Sequence, residues 1–120
     1  MNNKILELEK NLFKLEYMSD IRYLNKTIDD KYIEIGKSGK QFNKQDVIND
    51  LSILKKDRKI KIYNFTCESI GENIYLAHYI TKNNYDIIYR TSIWKKDKDE
   101  IKIIFHQAST YKEEINLIEY

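Results

Sequence analysis

The chain has 120 residues, a length that predicts one domain, spanning residues 1–120, around one hydrophobic core. Its 21 basic and 19 acidic side chains are spread without blocks, so the net charge of +2 argues against nucleic-acid and membrane binding. One cysteine, Cys67, excludes an internal disulfide, and the polar N-terminus lacks the apolar run of a signal peptide, so we expect a cytoplasmic protein.

The first predicted element is an amphipathic helix over residues 3–18. Ser19 is predicted to cap a second, short helix that has Asp20 in its first turn and ends near Thr27. A wide apolar stripe on the first helix predicts that it lies across a sheet. The stripe consists of Ile5, Leu8, Leu12 and Leu15, flanked by Leu6, Phe13 and Tyr17.

A short strand and a third helix follow. Alternation over residues 32–35 predicts the strand, and Gly36 and Gly39 predict the turn after it. Asn43 and Asp46 have the spacing of a capping box, which predicts a helix from this point. Its inward side chains are predicted to be Val47, Ile48, Leu51 and Leu54.

Four long strands are predicted in the rest of the chain, at about residues 60–69, 73–82, 86–96 and 100–110. Short turns at residues 71–72, 83–84 and 98–99 force antiparallel hairpins. Helices first and a meander after predict an α+β fold, in which three N-terminal helices pack on one face of a strongly curved, mainly antiparallel sheet.

The faces of this sheet depend on the register of the hairpins. Two-residue loops at 83–84 and 98–99 place Arg90 opposite both Ala77 and Gln107. The concave face is then predicted to carry Tyr75, Ala77, Tyr79, Arg90, Ser92, Trp94, Phe105, Gln107 and Ser109. The outer face carries Leu76, His78, Ile80, Tyr89, Thr91, Ile93, Ile104, His106 and Ala108. Because both faces are substantially apolar, we expect a second copy of the chain to cover the outer one in a homodimer.

Three short motifs resemble the nuclear-transport-factor-2-like superfamily. They are Ile-Glu-Ile-Gly at 33–36 with Ser38 and Gly39, Arg-Thr-Ser-Ile-Trp at 90–94, and Phe-His-Gln at 105–107 with Thr110. Their order and spacing resemble the SnoaL-like and ketosteroid-isomerase-like domains, and among them a group of short bacterial domains of unknown function. The resemblance implies a cystatin-like cone whose helices close one side of the sheet and leave a pocket at its wide end.

The catalytic residues of the enzymes in this superfamily do not carry over. Ile35 stands where the general base of ketosteroid isomerase would be, and Phe13 stands near the place of its oxyanion-stabilising tyrosine. The calmodulin-dependent kinase association domain is also similar, but its pocket arginines would fall near Ser92 and Gln107, which are neutral. Arg90 projects into the same space and could replace part of an anion site.

Arg90 is therefore the main candidate for ligand binding. A guanidinium group on the concave face needs an anionic ligand or a carboxylate partner, for which Glu34 and Glu68 are the candidates. The predicted ligand-binding side chains are Arg90, Ser92, Gln107, Tyr75, Tyr79 and Trp94. Tyr17, Tyr23 and Tyr32 could line the same pocket, which would suit a flat, partly polar organic molecule.

No metal or cofactor is predicted. His78 and His106 fall on the expected interface face and lack the neighbouring ligands that zinc needs. Cys67 lacks a base partner and is interpreted as a small core residue.

Three functions remain open at this point. The leading hypothesis is a homodimeric, non-catalytic domain that binds a small organic molecule. The second is an isomerase, dehydratase or cyclase that uses Glu34 or Glu68 as base and a tyrosine as acid. The third is a protein-interaction module whose cone is filled by side chains.

Overall fold

Four helices and six strands make up a computed structural model, which describes residues 1–112 and 116–120. The helices are α1 (Asn2–Asn11), α2 (Leu15–Met18), α3 (Ile21–Thr27) and α4 (Lys44–Ser52). The strands are β1 (Ile28–Ile35), β2 (Gln41–Asn43), β3 (Lys61–Gly71), β4 (Ile74–Lys82), β5 (Ile87–Asp97) and β6 (Glu100–Thr110). They form one sheet in the order β2-β1-β6-β5-β4-β3, in which β1 and β6 are the parallel pair. The predicted α+β class, with helices packed on a curved and mostly antiparallel sheet, is confirmed.

The first predicted helix is interrupted. α1 ends at Asn11, and Lys14 is extended (φ −100°, ψ 128°) before α2 begins. The break turns Phe13 into the core, where its side chain is 6% exposed. It also frees the Leu12 carbonyl, which accepts a hydrogen bond from Arg58. A continuous helix would have used that carbonyl for its own backbone ladder.

Side-chain caps fix the starts of the next helices. Asp20, and not Ser19 as predicted, caps α3, because its carboxylate accepts from two backbone N–H groups. Asn43 and Asp46 form the predicted capping box of α4, with bonds of 2.8 and 3.0 Å. Of the side chains predicted to face inward from this helix, Val47 and Ile48 are buried, Leu51 is half-buried, and the half-buried Leu54 lies after the helix has ended at Ser52.

The loop between β4 and β5 has four residues, 83–86, instead of the predicted two. The Asn83 side chain closes it by accepting from two backbone N–H groups within the loop. Tyr79, and not Ala77, therefore pairs with Arg90. A shift of two residues preserves the alternation of side chains along a strand, so the predicted faces of β4 and β5 are correct.

A bulge in β6 changes the register with β5 by one residue. Trp94 pairs with Ile103 as the two-residue turn at 98–99 predicts, but Ile93 pairs with Phe105. Ile104 is thus an extra residue on β6. After the bulge, every β6 side chain points to the face opposite the predicted one.

The bulge corrects the predicted lining of the concave face. Arg90 pairs with Ala108 instead of Gln107, and Ser92 pairs with His106. His106 and Ala108 are buried on the concave face, while Gln107 is exposed on the outer face. The core lies between this concave face and the helices. Within the described residues, no helix has the length and apolarity that a membrane span requires.

Candidate functional site

A cavity of about 240 Å³ lies between the helices and the concave face of the sheet. Its apolar wall consists of Leu12, Phe13, Met18, Ile28, Val47, Leu51 and Ile103. Its polar side chains are Tyr32, Glu34, Asp50, Arg58, Arg90 and His106. An adjoining space of about 270 Å³ shares Glu34, Arg58, Arg90 and His106 with it. These four side chains therefore lie where the two spaces meet.

Arg90 is the member of the predicted ligand-binding set that lines the cavity. Tyr79, Ser92 and Trp94 are on the concave face, as predicted, but they are fully buried and form the layer beneath the cavity floor. Tyr75 is half-buried on the same face, and it packs against the core without lining the cavity. The fold thus uses half of the predicted set, Tyr79, Ser92 and Trp94, to support the site.

Gln107 lies on the outer face of the sheet, because of the bulge in β6. It borders a shallow depression with His78 and Thr91. His78 is on the outer face as predicted, with its Nδ1 atom 3.0 Å from the Thr91 hydroxyl. The placement of Gln107 beside Arg90 was wrong, and so was that of His106 on the outer face.

The layer beneath the floor is organised around Glu9 in α1. Its side chain is 0% exposed. The Tyr79 hydroxyl donates to Glu9 Oε1, and the Trp94 indole Nε1–H donates to Glu9 Oε2 at 2.6 Å. Burial raises the pKa of the Glu9 carboxyl, while the hydrogen bonds from Tyr79, Trp94 and Ser92 and the charge of Arg90 oppose that rise.

A chain of hydrogen bonds connects this buried acid with the cavity. Arg90 Nη1 lies 3.4 Å from His106 Nε2, and His106 Nδ1 lies 2.7 Å from Ser92 Oγ. A guanidinium group can only donate, so Nε2 accepts and the ring proton is assigned to Nδ1. Burial, with smaller contributions from Arg90 and Arg58, lowers the pKa of His106 to about 3. The ring is therefore neutral at pH 7.

Two guanidinium groups approach the same aromatic ring at the cavity wall. The Cζ atoms of Arg90 and Arg58 lie 5.0 and 5.2 Å from the centroid of Phe13. Arg90 Nε donates to the Thr81 hydroxyl at 2.8 Å, and Arg58 donates to the Leu12 carbonyl at 2.5 Å. Both acceptors are neutral, so these bonds hold the two groups in place without balancing their charge.

Neither guanidinium group has a carboxylate within 4.0 Å among residues 1–112 and 116–120. The ion pair predicted between Arg90 and Glu34 or Glu68 is thus missing from that part of the chain. Glu68 is exposed, pairs with Leu76 and does not line the cavity. Glu34 does line it.

Glu34 accepts a hydrogen bond of 2.7 Å from the Tyr32 hydroxyl at the cavity edge. Burial, and to a smaller extent the charge of Glu34, raises the pKa of Tyr32 well above its ordinary value. The Tyr32 hydroxyl therefore keeps its proton and acts as a donor. Tyr17 and Tyr23 instead pack on each other with ring centroids 4.8 Å apart, and they do not line the cavity.

Glu9, Asp50 and Arg58 were missed in the sequence, and Glu9 had left a signal. Glu9 falls four residues after Ile5 and four before Phe13, so it lies within the apolar stripe of the first helix. An acid in such a stripe is unusual enough to single out. Arg58 has no comparable signal, because it sits in a charged loop among lysines and Asp57.

Within the described ranges, no group of three or more histidine, cysteine or acidic side chains is arranged to bind a metal ion. The polar groups of the cavity instead suit an organic molecule with an apolar body and one polar end.

No protein-family model and no curated protein matches this chain. Solved structures do match. A nuclear-transport-factor-2-like protein of unknown function from Prochlorococcus marinus has a TM-score of 0.69 at 19% identity, over 93% of this chain and 94% of that one. An uncharacterized protein with a cystatin-like fold from Caulobacter vibrioides has a TM-score of 0.72 at 10% identity, over 90% and 87%.

A putative calcium/calmodulin-dependent kinase II association domain from Exiguobacterium sibiricum also matches, with a TM-score of 0.61 at 16% identity over 94% of this chain and 93% of that one. At such identities the similarity establishes the fold and carries no function. The chain has the nuclear-transport-factor-2-like cone fold that its motifs predicted.

Proposed function

We propose that this protein is a cytoplasmic, homodimeric domain that binds a small organic molecule in the cone cavity and does not catalyse a reaction. The observation that carries the proposal is the cavity of about 240 Å³, which combines an apolar wall with polar side chains at one end. Binding sites for small molecules share this combination of a mostly apolar lining and a few orienting polar groups. A cone filled by side chains, as the interaction-module hypothesis requires, would leave no such space.

Arg90 is proposed as a direct ligand contact, and Tyr79, Ser92 and Trp94 as its support. Ser92 holds His106, and His106 in turn contacts Arg90. Through these bonds the fully buried layer fixes the position of the guanidinium group before a ligand arrives. Such preorganisation lowers the entropic cost of binding.

The direct test is mass spectrometry of the protein purified from cells, recorded under native and then denaturing conditions. A bound molecule appears as mass in the native spectrum beyond that of a whole number of denatured chains, and it can be identified after extraction. An Arg90→Ala variant should lose the molecule, whereas Arg22→Ala, at an exposed arginine of α3, should retain it. A native mass of the parent equal to a whole number of denatured chains, together with no thermal shift across a metabolite library, would refute the proposal.

The homodimer is proposed on the composition of the outer face. Leu76, Ile93 and Phe105 form a cross-strand row in the middle of the sheet, and all three remain partly exposed. A twofold copy packed on this row would remove it from water. Ile93→Glu should convert the dimer to a monomer in light scattering, while Ile53→Glu, at a side chain 73% exposed, should not. A monomeric parent at micromolar concentration would contradict the proposal.

The Tyr32–Glu34 pair keeps an enzymatic alternative in view. A carboxylate that lines a cavity and accepts from a tyrosine hydroxyl resembles the base and acid needed to move a proton next to a carbonyl group. The test is deuterium exchange at the α-carbon of small ketones in D₂O, followed by NMR. Exchange by the parent and its loss in Glu34→Gln would establish the enzyme, whereas no exchange above the buffer rate favours the binding domain.

A further inference from the structure

We infer that the ligand of the cone cavity is a small organic monoanion whose carboxylate group is bound by Arg58 and Arg90 together. The inference rests on the proposed binding function and names the chemical class of its ligand. It also assigns a ligand contact to Arg58, which lies in the loop between α4 and β3.

The two guanidinium groups lie beside the same ring and border the same space. Each Cζ atom lies about 5 Å from the centroid of Phe13, so the two carbon atoms are at most about 10 Å apart. Both side chains line the cavity and the space that adjoins it. A carboxylate in this shared space would accept N–H bonds from both groups, in the planar arrangement that guanidinium groups favour.

The donors are available. Arg58 uses one N–H group on the Leu12 carbonyl, and Arg90 uses two, on Thr81 and His106. Their other N–H groups have no acceptor among residues 1–112 and 116–120. These nitrogen atoms are not among the buried unpartnered atoms of the described residues, so they are open to the cavity, where a ligand acceptor can replace water.

The charges around the two groups point the same way. His106 is neutral, and Glu34, whose Oε1 atom accepts from Tyr32, is more than 4.0 Å from both guanidinium groups. Burial and the charge of Arg90 lower the pKa of Arg58, which reflects two like charges in a partly desolvated space. An anion between them relieves this repulsion. Glu34 and exposed Asp50 face the same cavity, so a second negative charge on the ligand would be repelled.

The remainder of the cavity favours a ligand with an apolar body. Seven of its lining side chains are apolar. An inorganic anion would leave this surface unused, whereas the body of an aromatic or aliphatic acid would bury it.

Isothermal titration calorimetry on protein that has been unfolded, dialysed and refolded tests the inference. The probes are benzoate, phenylacetate and hexanoate, each paired with its amide, and inorganic phosphate. At least one acid should bind, and its amide should bind about 10- to 100-fold more weakly, the ratio expected for charge-assisted hydrogen bonds. Arg58→Met and Arg90→Met should each weaken the acid by a similar factor, and Arg22→Met should leave it unchanged.

The possible contrary results are distinct. If an amide binds as tightly as its acid, the ligand does not need a negative charge, and the proposed binding function is unaffected. If phosphate binds as tightly as the acids, the ligand does not need an organic body. If none of the three acids binds, the whole inference is wrong. Unchanged affinity in Arg58→Met would show that Arg58 does not bind the carboxylate together with Arg90. If circular dichroism shows that Arg90→Met does not fold, the Arg58 variants provide the test. Arg58→Met should weaken binding of the acid, and Arg58→Lys should recover part of the affinity that Arg58→Met loses. Failure of the proposed function would instead show as no bound molecule, neutral or charged, in any preparation.

Discussion

Replacing His106 by glutamine should make the protein less sensitive to acid. The imidazole is 5% exposed, contacts Ser92 and Arg90, and faces the charged groups Arg58 and Glu34 across the cavity. Burial lowers its pKa to about 3, against 6.5 for the unperturbed side chain. A glutamine amide can accept from Arg90 and donate to Ser92, so it keeps the polarity of the neutral ring.

The sign and size of the effect follow from proton linkage. Below pH 6.5 the unfolded chain binds a proton at this histidine that the folded protein excludes, so stability falls as the pH drops. The loss is up to about 1.4 kcal/mol per pH unit, or about 2 kcal/mol between pH 6.5 and 5.0. Glu9 has the opposite effect on stability. Because its pKa is raised from 4.5, the folded protein keeps a proton above pH 4.5 that the unfolded chain has released, so this contribution to stability increases as the pH falls toward 4.5.

Urea denaturation of the parent and of His106→Gln at pH 7.0 and 5.0 measures how much free energy of unfolding each protein loses between the two pH values. The parent should lose about 2 kcal/mol more between the two pH values than the variant does, since the contribution of Glu9 cancels in the comparison. His78→Gln, which changes the half-buried histidine of the outer face, is the control and should follow the parent. A variant with the full parental pH dependence would refute the assignment of acid sensitivity to the buried ring.

Three further changes test the structure by chemical denaturation at pH 7. Glu9→Gln should destabilise the protein by about 1–3 kcal/mol, because the NH₂ group of the new amide faces one of the two donors, Tyr79 or Trp94. An unchanged denaturation midpoint would mean that the buried hydrogen bonds of Glu9 contribute nothing to stability. Asn43→Ala should cost about 1 kcal/mol through loss of the α4 capping box, and an equal loss in the exposed control Asn49→Ala would contradict this. Gly39→Ala should cost about 1 kcal/mol because φ is 86° there, although a Cβ atom would meet nothing within 4 Å; neutrality would show that the turn relaxes.

Features that depend on near neighbours were predictable from the sequence. The capping box of Asn43 and Asp46 involves residues three apart, and the turn at 98–99 follows from a break in strand alternation. The α+β class and the assignment of β4 and β5 side chains to two faces needed only periodicity. Arg90 was identified as a cavity residue on that basis, and its position survived an error of two residues in loop length.

The tertiary structure decided the rest, because the responsible interactions join distant parts of the chain. The Ile104 bulge carries no glycine or other local signal, yet it exchanges Gln107 for His106 on the concave face. Glu9 meets Tyr79 and Trp94 across 70 and 85 residues, so its partners could not be read from its surroundings in the sequence.

Arg58 shows the same limit most clearly. Its neighbours in sequence are charged and suggest a solvated loop, but the fold carries its side chain to Phe13 and the Leu12 carbonyl, 46 residues away. Local pattern therefore determined which elements form and which way most of them face. Packing between remote elements determined which polar groups share the cavity, since burial and charge compensation depend on the assembled structure.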